Sequence, residues 1–84
     1  MSPRSLKRDS SLPWLGETVK ALRAEAGITQ KELAARSGID PSYITHIERG
    51  AANLTWAALG RLSGGLGIPR SALVKRVEDA ERGR

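Results

Sequence analysis

The sequence predicts an all-α domain of five short helices. Apolar residues recur at helical spacing in successive segments of the 84-residue chain, and no stretch shows the alternation of a strand. Glycines follow several of these segments, where a backbone of positive φ can end a helix. A chain of this length has room for one small core. We expect one folded domain over residues 13–82, preceded by a flexible basic arm over residues 1–12.

The first helix is predicted over residues 13–26, from Pro13 to Ala26. Its apolar residues repeat at i, i+4, i+7 and i+11 and form one stripe, which is Leu15, Val19, Leu22 and Ala26. Gly27 follows as the residue that ends the helix. This stripe is the predicted contact with the rest of the core.

Two short helices are predicted in the middle of the chain, joined by a turn at Gly38. Thr29 and Glu32 have the spacing of a capping box at the start of the first of them. Asp40 is expected to cap the second, with Pro41 in the first position, where a missing N–H costs nothing. The side chains left outside the apolar face of this second helix are Ser42, Tyr43, Thr45, His46 and Arg49. A short helix with a small, hydrogen-bonding face fits the major groove of DNA.

Two further helices complete the predicted domain. Thr55 can cap the fourth, with Leu54 and Leu59 placed as a hydrophobic staple around its start. The apolar side of this helix is predicted to contain Trp56, Leu59, Leu62 and Leu66. The Gly64–Gly65 pair should weaken its last turn by about 1 kcal/mol per glycine relative to alanine. A fifth helix is predicted from about Pro69 to Arg82.

Composition restricts the classes of function. A net charge of +5 suits a polyanionic partner, but +2 of it comes from residues 1–12, and the +3 that remains supports DNA binding only weakly. There is no cysteine and only one histidine, His46, so neither a metal site nor a cofactor is expected. No Gly-rich phosphate loop or carboxylate cluster favours an enzyme. With no apolar run of about 20 residues and no signal-peptide core, we expect a cytoplasmic protein without a membrane partner.

A set of short motifs carries a resemblance to a known family. They are Leu22-Arg23, Gly27-Ile28-Thr29-Gln30, Leu33-Ala34, Gly38-Ile39, Tyr43-Ile44 and Ile47-Glu48-Arg49-Gly50. This string resembles the phage-repressor family of helix-turn-helix domains, which is lambda repressor/Cro-like and also called XRE. The resemblance implies a compact five-helix lambda-repressor-like domain with the helix-turn-helix at helices 2 and 3. It further implies a sequence-specific transcriptional regulator, a homodimeric repressor that binds double-stranded DNA at a palindromic operator.

The resemblance also implies roles for individual residues. The expected base-reading positions are Pro41, Ser42, Thr45 and His46, and proline at the first of them narrows the set of side chains that can read bases. The expected phosphate-binding positions are Thr29, Gln30, Lys31, Tyr43, Arg49 and Asn53. Arg23 and Glu48 match a structural ion pair that joins helix 1 to helix 3. Its value is internal, since a carboxylate facing DNA would be repelled.

Several alternatives remain open at this level. Leu73, Val74 and Val77 form the apolar side of helix 5, which with the tail (residues 69–84) is expected to hold two copies together. The same surface could instead bind a toxin, if the chain is the antitoxin of a toxin–antitoxin pair, or another protein, if the fold serves as an adaptor. Residues 1–12 are either a disordered leader or an arm that touches phosphate or the minor groove. The residues do not indicate whether transcription is repressed or activated.

Overall fold

The computed structural model describes residues 11–83, and the described part of the chain is all-α, as predicted. Its helices are α1 (Leu12–Ala26), α2 (Gln30–Ser37), α3 (Pro41–Glu48), α4 (Trp56–Gly65) and α5 (Arg70–Arg82). The predicted roles of the arm fall almost entirely on residues 1–10, outside the described range. Within that range, no helix is both long enough and apolar enough to cross a membrane.

Helix α1 begins one residue earlier than predicted and crosses α3 closely. Leu12, assigned to the arm, is the first residue of the helix and is buried. A proline at the second helical position is tolerated because the first-turn N–H groups have no partner within the helix. Gly16 faces the end of α3, where a Cβ atom would lie 2.6 Å from the Ile47 carbonyl oxygen. Only a glycine permits this approach of the two backbones.

The core lies where the five helices meet. Helix α1 packs against α3 and α5, α2 packs against α3 and α4, and α4 packs against α5. The buried residues that form one cluster are Val19, Leu22, Ile28, Leu33, Ala34, Ile39, Ile44, Ile47, Ala52, Leu62 and Leu73. The assignment of Leu73 to a dimer interface is therefore wrong, because its side chain is fully buried inside the domain.

Local capping sets the start of α2 and α3. Thr29 Oγ1 accepts from the Glu32 N–H at 3.0 Å, and Glu32 Oε1 accepts from the Thr29 N–H at 2.8 Å, which completes the predicted capping box. This hydrogen bond from the Thr29 backbone lowers the pKa of Glu32. Asp40 Oδ1 accepts from both the hydroxyl and the N–H of Ser42, which lower the pKa of the Asp40 carboxyl. Gly38, at φ +70°, makes the turn between the two helices.

Helix α4 departs from the prediction at its first residue. Trp56 was assigned to the apolar side, yet 67% of it is exposed. It lies at the end of α4 that meets the start of α5, where the Arg70 guanidinium carbon lies 4.6 Å from the indole centroid. Gly65, expected only to weaken the helix, is buried, and a Cβ there would come within 3.0 Å of Leu33 Cδ1. The absence of a side chain at Gly65 therefore lets α2 and α4 approach each other closely.

Candidate nucleic-acid interface

Helix α3 has one buried face and one open face. Ile44 and Ile47 are fully buried, which fixes the rotation of the helix about its own axis. Of the four expected base-reading residues, Pro41, Ser42 and His46 are exposed and Thr45 is half-buried. The structure therefore brings all four to one short helix. Their contact with bases stays a prediction.

An ion pair joins α1 to the end of α3. Arg23 Nε lies 2.8 Å from Glu48 Oε2, and Arg23 Nη2 lies 3.2 Å from Glu48 Oε1. The Glu48 side chain is only 4% exposed and that of Arg23 is 18% exposed. Arg23 Nη1 also donates to the Ile28 carbonyl, and the hydrogen bond to Glu48 raises the pKa of the guanidinium. The ion pair expected from the resemblance is thus present, and its two side chains are largely shielded from water.

Gln30 connects the start of α2 to α3, a contact that sequence patterns did not predict. Its Nε2 donates to Glu48 Oε1 at 2.9 Å, and its Oε1 accepts from Thr45 Oγ1 at 3.1 Å. These partners are 18 and 15 residues away in the chain. The side chain of Gln30 can therefore offer a phosphate only the second hydrogen of its amide nitrogen. Gln30 therefore belongs to the internal hydrogen-bond network and is half-buried.

The hydroxyl groups near the start of α3 also have partners within the protein. Tyr43 donates to the main-chain carbonyl of Asn53, which ties α3 to the loop before α4. Its hydroxyl was expected to turn towards a phosphate, and the structure directs its proton to this carbonyl instead. Ser42 Oγ donates to Asp40 Oδ1 at 2.6 Å. The proton of each hydroxyl is therefore already used.

The cations expected at the phosphates lie on the surface. Lys31 is exposed on the first turn of α2, and Arg49 is exposed at the residue that follows α3. Thr29 and Asn53 are exposed as well. In the described range, no group of three or more histidines, cysteines and carboxylates is placed to hold a metal ion. Exposed positive charge therefore lies on the first turn of α2 and directly after α3.

A groove lies on α5, between the start of α1 and the loop before α4. It has a volume of about 340 Å³, and its apolar lining includes Leu15, Leu54, Leu59, Val74 and Val77. Val74 is 36% exposed and Val77 is half-buried, unlike the buried Leu73. Two of the three residues predicted for a dimer interface therefore remain at the surface.

Comparison with known proteins agrees with this arrangement. Residues 14–77 match the model of a helix-turn-helix domain family. The chain is 36% identical over 69 residues to an uncharacterised HTH-type transcriptional regulator, y4dJ, of Sinorhizobium fredii, with 82% of this chain and 90% of that protein covered. It is 38% identical over 60 residues to an immunity repressor of Bacillus phage phi105, covering 71% of this chain but 42% of the repressor.

Solved structures show the same architecture. The restriction-modification controller protein C.Esp1396I superposes with a TM-score of 0.82 at 29% identity, covering 90% of this chain and 99% of that one. Its tetramer in complex with a natural 35-base-pair operator matches with a TM-score of 0.78. The phage-repressor-like resemblance and the all-α helix-turn-helix fold are therefore confirmed. The chain belongs to the helix-turn-helix domain family of transcription regulators.

Proposed function

We propose that this chain is a sequence-specific transcription regulator that inserts α3 into the major groove of double-stranded DNA. The observation that carries the proposal is the division of α3 into a fully buried apolar face and an open polar face. The groove of B-DNA admits one α-helix, and hydroxyl and imidazole groups can bond to base edges. Ser42, Thr45 and His46 supply these groups, and Pro41 adds only an apolar contact.

Phosphate contacts place α3 in the groove. Lys31 and Arg49 flank it as exposed cations. The free N–H groups at the start of α2 and the remaining amide hydrogen of Gln30 can donate hydrogen bonds to phosphate oxygens of the DNA backbone. With two cations per protomer, a dimer would neutralise four phosphates. The slope of log K against log salt is then about −3.6, or roughly a 100-fold loss of affinity from 50 to 200 mM salt.

The α5 groove supports assembly of two copies. A second protomer seated on Val74 and Val77 would cover the apolar lining, and a two-fold axis would give recognition helices spaced for a palindrome. The related controller protein binds its operator as a tetramer, which supports an oligomeric regulator. Repression needs only occupancy of a promoter, so we propose that the chain is a repressor. We also propose that it works in the cytoplasm.

Selection from a random DNA pool, followed by binding titrations, tests the proposal. The wild-type protein should enrich a palindromic sequence and bind it as a dimer. Val74→Asp should shift sedimentation towards a monomer and weaken operator binding, whereas Ser71→Asp, an exposed change on the same helix, should do neither. Failure to enrich any sequence, or a flat response to salt, would refute it.

A further inference from the structure

A continuous chain of hydrogen bonds runs from α1 through Glu48 and Gln30 to the hydroxyl of Thr45. Arg23 donates to both carboxylate oxygens of Glu48, at 2.8 and 3.2 Å. A carboxylate held in such a pair only accepts hydrogen bonds. Gln30 must therefore direct its amide nitrogen towards Glu48, whose Oε1 lies 2.9 Å away. The orientation of the Gln30 amide thus follows from the chemistry of its partner.

That orientation fixes the polarity at the other end of Gln30. Its Oε1 faces Thr45 Oγ1 at 3.1 Å and can only accept, so the Thr45 hydroxyl must donate. The second neighbour of this hydroxyl is the Pro41 carbonyl at 3.2 Å, which also can only accept. A hydroxyl has one proton. Both acceptors for it belong to the protein itself, and only the lone pairs of Oγ1 remain for another partner.

We propose that Thr45 meets DNA solely as a hydrogen-bond acceptor and therefore binds the exocyclic amine of an adenine or a cytosine. The inference rests on the proposed function, in which α3 enters the major groove. There the N6 amine of adenine and the N4 amine of cytosine are donors, whereas N7, the guanine O6 and the thymine O4 are acceptors. A threonine free to rotate could bind either kind. Gln30 is a positioning residue that removes this freedom.

Base analogues test the polarity directly. Selection with wild-type protein gives the operator, and Thr45→Val, which keeps the shape and the methyl group, identifies the base pair that depends on the hydroxyl. Thr45→Ser is the matched control that keeps the hydroxyl. At this base pair, 2-aminopurine for adenine or 2-pyrimidinone for cytosine removes the major-groove amine, and a 7-deazapurine removes the N7 acceptor.

Removing the amine should weaken wild-type binding about 2- to 10-fold per half-site, the range of one net hydrogen bond. The Thr45→Val protein should not respond to this change, and neither protein should respond to the 7-deazapurine. The proposal is overturned if the 7-deazapurine weakens wild-type but not Thr45→Val binding, or if no base pair depends on Thr45. A wild-type protein that enriches no sequence at all would refute the proposed function instead.

Glu48→Gln tests the part played by Gln30. The new amide can donate as well as accept, so Gln30 is free to turn over and offer its nitrogen to Thr45. The ratio of affinities for intact and amine-free DNA should then fall below the wild-type ratio. Because both duplexes bind the same variant, a general loss of folded protein cancels in this ratio. An unchanged ratio would show that Pro41 alone fixes the proton and would exclude Gln30 from the mechanism.

Discussion

Replacing Glu48 by alanine should strongly destabilise the domain. The carboxylate is 4% exposed and accepts from Arg23 and Gln30, so its removal leaves a guanidinium that is only 18% exposed without its charged partner. Breaking a buried pair in this way costs about 3–5 kcal/mol, because an uncompensated charge stays in a poorly hydrated site. Small domains are stable by only about 5–15 kcal/mol, so much of the total would be lost.

The chain offers a control ion pair with a similar shortest distance and different burial. Arg76 and Glu25 pair at 2.9 Å between α5 and α1, with side chains 44% and 58% exposed. Water and salt screen such a pair, so Glu25→Ala should barely change the denaturation midpoint. Urea denaturation of both variants at neutral pH, followed by circular dichroism, gives the comparison. Equal midpoints for Glu48→Ala and Glu25→Ala would refute the argument that burial makes the Arg23 pair important.

Two glycines, two capping carboxylates and one exposed cation should each respond measurably to substitution. Gly16→Ala should lower the free energy of unfolding by about 1–3 kcal/mol, because the added Cβ clashes with α3. Gly64→Ala, whose Cβ meets nothing within 4 Å, should raise it by up to about 1 kcal/mol. Equal thermal midpoints for the two variants would disprove the close crossing of α1 and α3. The folded-state pKa values of Glu32 and Asp40 are lowered. Their contribution to the free energy of unfolding is therefore complete above the ordinary carboxylate pKa of about 4 and is lost as pH falls through the lowered values. In unfolding curves measured over a pH series, the stability of a Glu32→Gln/Asp40→Asn variant should fall less steeply at acid pH than that of the wild type. Arg49→Ala should weaken selected and random DNA by the same factor and reduce the salt slope of a dimer by about 2; a change of base preference instead would place Arg49 at a base.

The helix ends were predictable because their determinants are local. The capping box of Thr29 and Glu32 and the cap of Thr55 on Ala58 each join residues three apart. The partners in hydrogen bonds of this kind are close in the chain, so the local sequence is enough to identify them. The sequence therefore predicted the start of α2, α3 and α4 correctly.

Features that depend on how helices cross were not predictable. A glycine at position 16 has no local signal, because its necessity comes from the α3 backbone 2.6 Å from a would-be Cβ. Periodicity identified an apolar side of α5 but not which edge of it the core covers, so the buried Leu73 and the exposed Val74 were grouped together. Trp56 was assigned to the core for the same reason. Trp56 is the first residue of α4, and its exposed ring stacks on Arg70.

On the proposed base-reading role of Thr45, stability and recognition depend on the same residues in this domain. Glu48 holds α1 through Arg23, and the same carboxylate sets the amide of Gln30 that holds the hydroxyl of Thr45. At the other end of α3, Tyr43 is bonded to the loop that contains Asn53. These bonds fix the open face of α3 relative to Gln30 on α2 and to the loop of Asn53, both expected to contact phosphate, before DNA binds. A substitution in this network should change folding free energy and base discrimination together, so affinities of its variants are informative only as ratios between two DNA duplexes.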